Sequence, residues 1–149
     1  VPLTAREDGR VVVAREGGDL QIVVEAWDQV DGNLPRRRLG PHTLGWQLLD
    51  ANGTPRPGFG TPRFTIDFDR MPPHREAVRV AYVGDSGITV HGAARTRFRY
   101  AVNNTVRDGR LEPALWDPKD LAPGDYVLRA VVRDASGNSA ARELPLQVR

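Results

Sequence analysis

Leu121-Ala122-Pro123-Gly124-Asp125-Tyr126-Val127-Leu128-Arg129-Ala130-Val131-Val132-Arg133-Asp134, followed by Ala135-Ser136-Gly137-Asn138, is the most specifically patterned stretch of the chain. Pro123 and Gly124 make a corner, an apolar run rich in valine follows, and Asp134 to Asn138 supplies residues that tolerate positive φ, as a tight connection between antiparallel strands needs. The stretch therefore reads as a strand over 126–133, a turn, and a last strand over 142–148.

The same grammar extends toward the N-terminus. Short segments with period-two alternation are separated by Gly, Pro, Asn and Asp, and helical periodicity is nearly absent, which is an all-β signature. The remaining expected strands are 10–14, 20–27, 43–49, 63–69, 77–83 and 96–102. Phe64, Ile66 and Phe68 fall on one face and Thr65, Asp67 and Asp69 on the other, as in a half-buried strand of an antiparallel sheet. Phe98, Tyr100 and Val102 alternate in the same way with Arg97, Arg99 and Ala101. Asp50-Ala51-Asn52-Gly53 is a second turn of the tight kind.

A length of 149 residues fits one domain. Against the roughly 100 residues of a minimal sandwich, the middle of the chain, 50–115, is enlarged. The start, Val1-Pro2-Leu3, has neither initiator Met nor leader, so the chain reads as a mature form or a single module excised from something longer. Hydrophobic residues make up 40% and charged residues 27%, a globular composition. No apolar run approaches the ~20 residues of a spanning helix, so no transmembrane segment is expected.

The absence of cysteine excludes disulfides, thiol nucleophiles and Cys-ligated zinc, and leaves the compartment open. The formal charge is only +2, and Lys119 is the one lysine. Arginines cluster at Arg36-Arg37-Arg38 and alternate at Arg95, Arg97 and Arg99, a pattern that can serve an anionic polymer. With acidic residues interspersed throughout, the clusters read as a loop and a solvated strand face, and no nucleic-acid partner is expected.

Catalytic signatures are missing. His42, His74 and His91 show no metal-ligand spacing, no Gly-x-Ser-x-Gly elbow or phosphate loop occurs, and Asp67 with Asp69 lies on a solvated strand face. No resident cofactor is expected. The acidic alternative is calcium, for which Glu25, Asp28, Asp31, Asn33 and Asp134 offer oxygen ligands at loop positions, although Asx turns account for the same residues. Trp46, Tyr82, Phe59 and Trp116 are possible sugar-stacking platforms. Phe59 and Trp116, flanked by Pro and Gly, are the ones expected to be exposed.

The Leu-x-Pro-Gly-x-Tyr stretch resembles the corner of immunoglobulin-like and fibronectin type III sandwiches, in which a tyrosine hydroxyl bonds back to an upstream backbone group. Tyr126 is that tyrosine, with a structural role. Val24-Glu25-Ala26-Trp27-Asp28, Leu39-Gly40-Pro41, Phe68-Asp69-Arg70, His91-Gly92 and Phe98-Arg99-Tyr100, together with the Pro-Gly-Asp-Tyr corner, look like the accessory domain of bacterial lysostaphin-like peptidoglycan metallopeptidases. That resemblance implies an immunoglobulin-like antiparallel β-sandwich. It also implies a secreted, periplasmic or cell-surface setting and a zinc peptidase portion outside these residues. The family's His-x-x-x-Asp and His-x-His motifs are absent, so no catalytic residue carries over.

Three function classes follow. The first is a non-catalytic module that docks on a neighbouring domain of its parent chain or on cell-wall polymer. The second is a free-standing carbohydrate-binding or adhesion module, with ligand contacts at Phe59, Trp116 or the arginines 95, 97 and 99. The third is a convergent enzyme, which requires a histidine to meet Asp or Glu.

Overall fold

The computed structural model describes residues 3, 6–29, 31–32, 34, 38–70, 76–86 and 97–149. His74, His91, Arg95, Asn33, Arg36 and Arg37 lie outside the described residues. Among these residues ten strands form two sheets, accompanied by one short helix and one 3-10 turn. In chain order the strands are β1 (Arg6–Glu7), β2 (Arg10–Val13), β3 (Val23–Glu25), β4 (Thr43–Asp50), β5 (Arg63–Asp67), β6 (Arg99–Ala101), β7 (Thr105–Arg107), β8 (Arg110–Glu112), β9 (Gly124–Arg133) and β10 (Ser139–Val148). Helix α1 (Ala77–Ala81) and the 3-10 turn Gly84–Ser86 stand between β5 and β6.

The large sheet runs β1-β2-β10-β9-β4-β5-β7-β8, and β3 with β6 forms a second, two-stranded sheet. The β9–β10 hairpin is its longest ladder, with Ser139 opposite Arg133 and Val148 opposite Gly124. Its turn is closed by Asp134, whose carboxylate accepts from the Ser136 and Asn138 N–H groups at 2.8 Å each, while Gly137 sits at φ 91°. β9 also pairs antiparallel with the whole length of β4, from Thr43 opposite Arg133 to Asp50 opposite Tyr126. Leu44, Trp46, Leu48, Leu128, Leu146, Val11, Val13, Ile66 and Val106 from this sheet meet Ile22, Tyr100 and Val102 from the other side in one core.

Three details depart from the sequence reading. The sheet is mixed rather than wholly antiparallel, because β2 runs parallel to β10 and β5 meets β7 in parallel at Ile66 and Val106. The segment 77–83 is not a strand. It opens as α1, whose Ala77 and Ala81 are buried one turn apart, and only its end reaches a strand, Tyr82 by a bridge to Tyr100 and the Val83 N–H by a bond to the Arg99 carbonyl at 3.0 Å. Of 20–27, only Val23–Glu25 forms a ladder; Leu20 instead exchanges both backbone bonds with Trp116, at 2.8 Å each.

The enlarged middle is spent on α1, the 3-10 turn and the β7–β8 hairpin, which lengthens the large sheet beyond β5. Asn103 and Asn104, both buried, tie this region together. The Asn103 side-chain oxygen accepts from the Ile22 N–H. Asn104 donates to the Val80 carbonyl at 2.7 Å and accepts from the Ala114 N–H at 2.9 Å.

Candidate interaction site

The two sheets differ greatly in width, and the mismatch creates the site. The eight-stranded sheet is far wider than the two-stranded one, and the space between them is incompletely filled beside β3. A cleft of about 770 Å³ lies there. Its floor is aliphatic, with Val11 and Val13 of β2, Leu128 of β9 and Leu144 and Leu146 of β10. Residues 19–23, Leu115 and Trp116 form a wall, and Arg6, Asp19, Asp85 and Arg99 mark its polar rim.

β3 borders this cleft with an open edge. Ile22, Val24 and Ala26 turn their backbone groups toward β6: Val24 pairs with Tyr100, the Ile22 carbonyl accepts from Val102 at 3.0 Å, and the Ala26 N–H donates to Phe98 at 3.0 Å. In an antiparallel pair the alternate residues face the other way. Gln21, Val23 and Glu25 therefore present their N–H and C=O groups outward, and among the described residues these groups meet no backbone partner. Val23 also leaves 37% of its surface exposed.

The rim is electrically balanced. The Arg99 guanidinium pairs with the Asp85 carboxylate, and Arg97, just outside, lies 3.6 Å from Glu25. These arginines neutralise acidic neighbours on the same face instead of forming a free cationic stripe.

Among the aromatic candidates, Phe59 is not an exposed platform. It is only 6% exposed, its ring 4.9 Å from that of Trp46 and covered by the Arg63 guanidinium at 3.8 Å. Gln47, itself buried, donates to the Phe59 carbonyl at 2.7 Å and locks the loop inward. Trp116 is half-buried, 6.2 Å from Trp46, and contributes one wall of the cleft. Trp27, which the sequence places at the end of a strand and packed near the core edge, is instead 45% exposed, with Arg38 stacked 4.1 Å above its ring.

The four described calcium candidates do not converge on one site, and the fifth, Asn33, lies outside the described residues. Glu25 sits on β3 beside Arg97, Asp28 accepts from the Gln29 N–H at 2.7 Å, Asp31 is exposed in a turn, and Asp134 is occupied by its own hairpin. Hydrogen bonds from Asn138 and from the turn's backbone hold the Asp134 carboxyl below the usual carboxylate range. Among the described residues no three His, Asp or Glu side chains converge as a metal site would require.

Tyr126 is buried, and its hydroxyl donates to the Ala122 carbonyl, four residues upstream, at 2.9 Å. His42 does meet a carboxylate: its Nδ1 lies 3.5 Å from Asp67 and 2.9 Å from the Thr43 hydroxyl. Both neighbours share the one ring nitrogen, which orients the imidazole on the strand end. No helix among the described residues is long and apolar enough to cross a membrane.

Compared with known proteins, the chain matches no family model, no curated protein and no solved structure. The cleft and the β3 edge therefore carry the functional argument. Sequence reasoning missed both, because each depends on where the described strands stop and on how the two sheets meet. The one available signal was the shortness of alternation on either side of Val24, too little for a complete second sheet.

Proposed function

We propose that this chain is a non-catalytic accessory module of a secreted or cell-envelope protein, with an immunoglobulin-like arrangement, that docks on or positions a partner. The observation that carries this reading is the cleft beside the unpaired β3 edge. Its lining is aliphatic apart from Trp116, Gln21 and two Arg and two Asp, and Asp85 is paired with Arg99, so it offers chiefly contact area and backbone groups. The immunoglobulin-like assignment is supported by the order β10-β9-β4-β5, by the separate β3–β6 pair and by the Tyr126 corner, which correspond to the two sheets and the corner device of those sandwiches.

The resemblance to accessory domains of peptidoglycan metallopeptidases makes the cell wall or a neighbouring peptidase domain the partner to try. The carbohydrate-binding alternative is weakened by the burial of Phe59, since a stacking platform must present its ring.

The test is sedimentation of the purified protein with isolated bacterial peptidoglycan, alongside thermal melts in calcium and in chelator. Retention on the wall, or stabilisation by an added peptidase domain, is the expected result. If neither occurs, the docking reading falls. A melting temperature raised by calcium would return attention to Glu25, Asp28, Asp31, Asn33 and Asp134 as ligands.

A further inference from the structure

We propose that β3 accepts an extended, uncharged segment of a partner polypeptide as a third strand of the small sheet, with the segment's alternate apolar side chains filling the cleft; this rests on the docking reading and names its partner chemistry. Backbone accounting is the first argument. Gln21, Val23 and Glu25 present N–H and C=O groups about 7 Å apart along one edge, a spacing that another extended backbone matches and a sugar or an acyl chain does not.

The second argument is where the edge lies. The cleft is walled by residues 19–23 and reaches the half-buried Leu144 of β10, with the buried Val11 and Leu146 beneath, so a strand added beside β3 runs along this part of the large sheet. Its inward side chains meet that aliphatic floor and its outward ones meet solvent, the alternation of a half-buried strand.

Charge and area select the occupant. The rim carries Arg6 and Arg99 against Asp19 and Asp85, and Arg99 is already paired with Asp85, so a charged strand gains nothing there. A second copy of this chain is a poor fit. Edge-to-edge pairing of two β3 strands covers a narrow ribbon, far below the roughly 1,200 Å² that stable interfaces bury. The Ile22 and Val24 side chains of such a copy are already packed in its own core, which leaves nothing to fill the cleft.

The experiment uses a capped synthetic octapeptide alternating Val and Thr, read by fluorescence anisotropy. A second version is N-methylated at every other residue, which removes the ladder donors and keeps the side chains. Val23→Pro deletes a donor on the open edge without touching the β3–β6 bonds, so the fold is retained. Leu144→Glu charges the cleft floor at a half-buried position.

The expected result is saturable binding of the plain peptide, weakened about tenfold or more by N-methylation, by Val23→Pro and by Leu144→Glu. Absence of binding, or binding indifferent to Val23→Pro and N-methylation, overturns the proposal. In that event, retention of the same protein on peptidoglycan shows that the accessory reading survives alone. A concentration-dependent dimer abolished by Val23→Pro also overturns it, in favour of a second copy on this edge.

Discussion

At the scale of single residues, two tyrosines put hydroxyls to opposite ends. The Tyr126 hydroxyl is committed to the Ala122 carbonyl, so Tyr126→Phe should cost about 1 kcal/mol, seen as a melting temperature lower by about 3 °C. Tyr100 is fully buried, and among the described residues its hydroxyl makes no well-formed hydrogen bond, with the Tyr82 hydroxyl as its poorly aligned neighbour, so Tyr100→Phe should be close to neutral at pH 7. What the Tyr100 oxygen does instead is fill space against Gly40, where an added Cβ would stand 2.7 Å from it and 3.7 Å or more from Phe98. Gly40→Ala should therefore cost about 1–3 kcal/mol alone and much less in the Tyr100→Phe background, a coupling that a double-mutant cycle of urea midpoints measures directly. Additive effects would remove the clash as the cause. The Tyr126 corner was legible from Leu121-Ala122-Pro123-Gly124-Asp125-Tyr126, because corner and tyrosine are adjacent in sequence. The Gly40–Tyr100 contact was not, because sixty residues separate its partners and only the tertiary fold brings them together.

Among the elements, legibility followed how local the defining interactions are. The β9–β10 hairpin and β4 were plain, since alternation and turn chemistry lie within each segment. Two further hairpins had a signal that went unused: Asp8-Gly9 and Asp108-Gly109 hold positive φ at both residues, 49° and 78°, 52° and 74°, the mirror-image turn that Asp-Gly favours. Residues 77–83 defeated the pattern, because Ala77-Val78-Arg79-Val80-Ala81 satisfies a strand's period and also puts Ala77 and Ala81 on one helical face. Tertiary context chose between them: Val80 offers its carbonyl to Asn104, and the small buried alanines let α1 lie close to β7. Asn104→Ala removes that bond and the one from the Ala114 N–H, leaving α1 and the turn before Trp116 untied. A loss of about 1–3 kcal/mol is expected, with amide exchange accelerating first in α1 and around 114–116. Uniform acceleration across β9 and β10 instead would mean that Asn104 supports the whole fold rather than this corner. The register shift between Leu44 and Gly45 is a second such point, since a Cβ at Gly45 would meet the Arg63 carbonyl at 2.6 Å. Gly45→Ala should loosen the β4–β5 pairing more than the β4–β9 pairing.

For the whole molecule, alkaline pH is the condition that the composition makes most telling. The chain has three tyrosines, no cysteine and one lysine, so little besides tyrosine titrates above neutrality and below the arginine range. The lysine, Lys119, is held above its usual value by Asp117. Burial pushes the Tyr100 hydroxyl far above the ordinary tyrosine value, with the neighbouring Tyr82 adding to the rise, and burial also raises Tyr82. Their rings lie 4.7 Å apart between the two sheets, with Phe68 beside both, so neither phenolate forms without wetting the core. Because the folded values lie above the unfolded one, the stabilisation is fully present below about pH 10 and is lost as pH rises beyond it, at up to about 1.4 kcal/mol per pH unit for Tyr100. Tyr82 adds less, since it is only half-buried. Folding free energy from urea titrations should thus be flat from neutrality to about pH 10 and fall beyond it, with tyrosinate absorbance of Tyr100 rising only as the protein unfolds. Tyr100→Phe, near neutral at pH 7, should flatten that fall by roughly half or more. Tyrosinate absorbance accounting for all three residues while the strand signal persists would show that the two sheets part locally at β6, and that the small sheet is not continuous with the core that Tyr100 now closes.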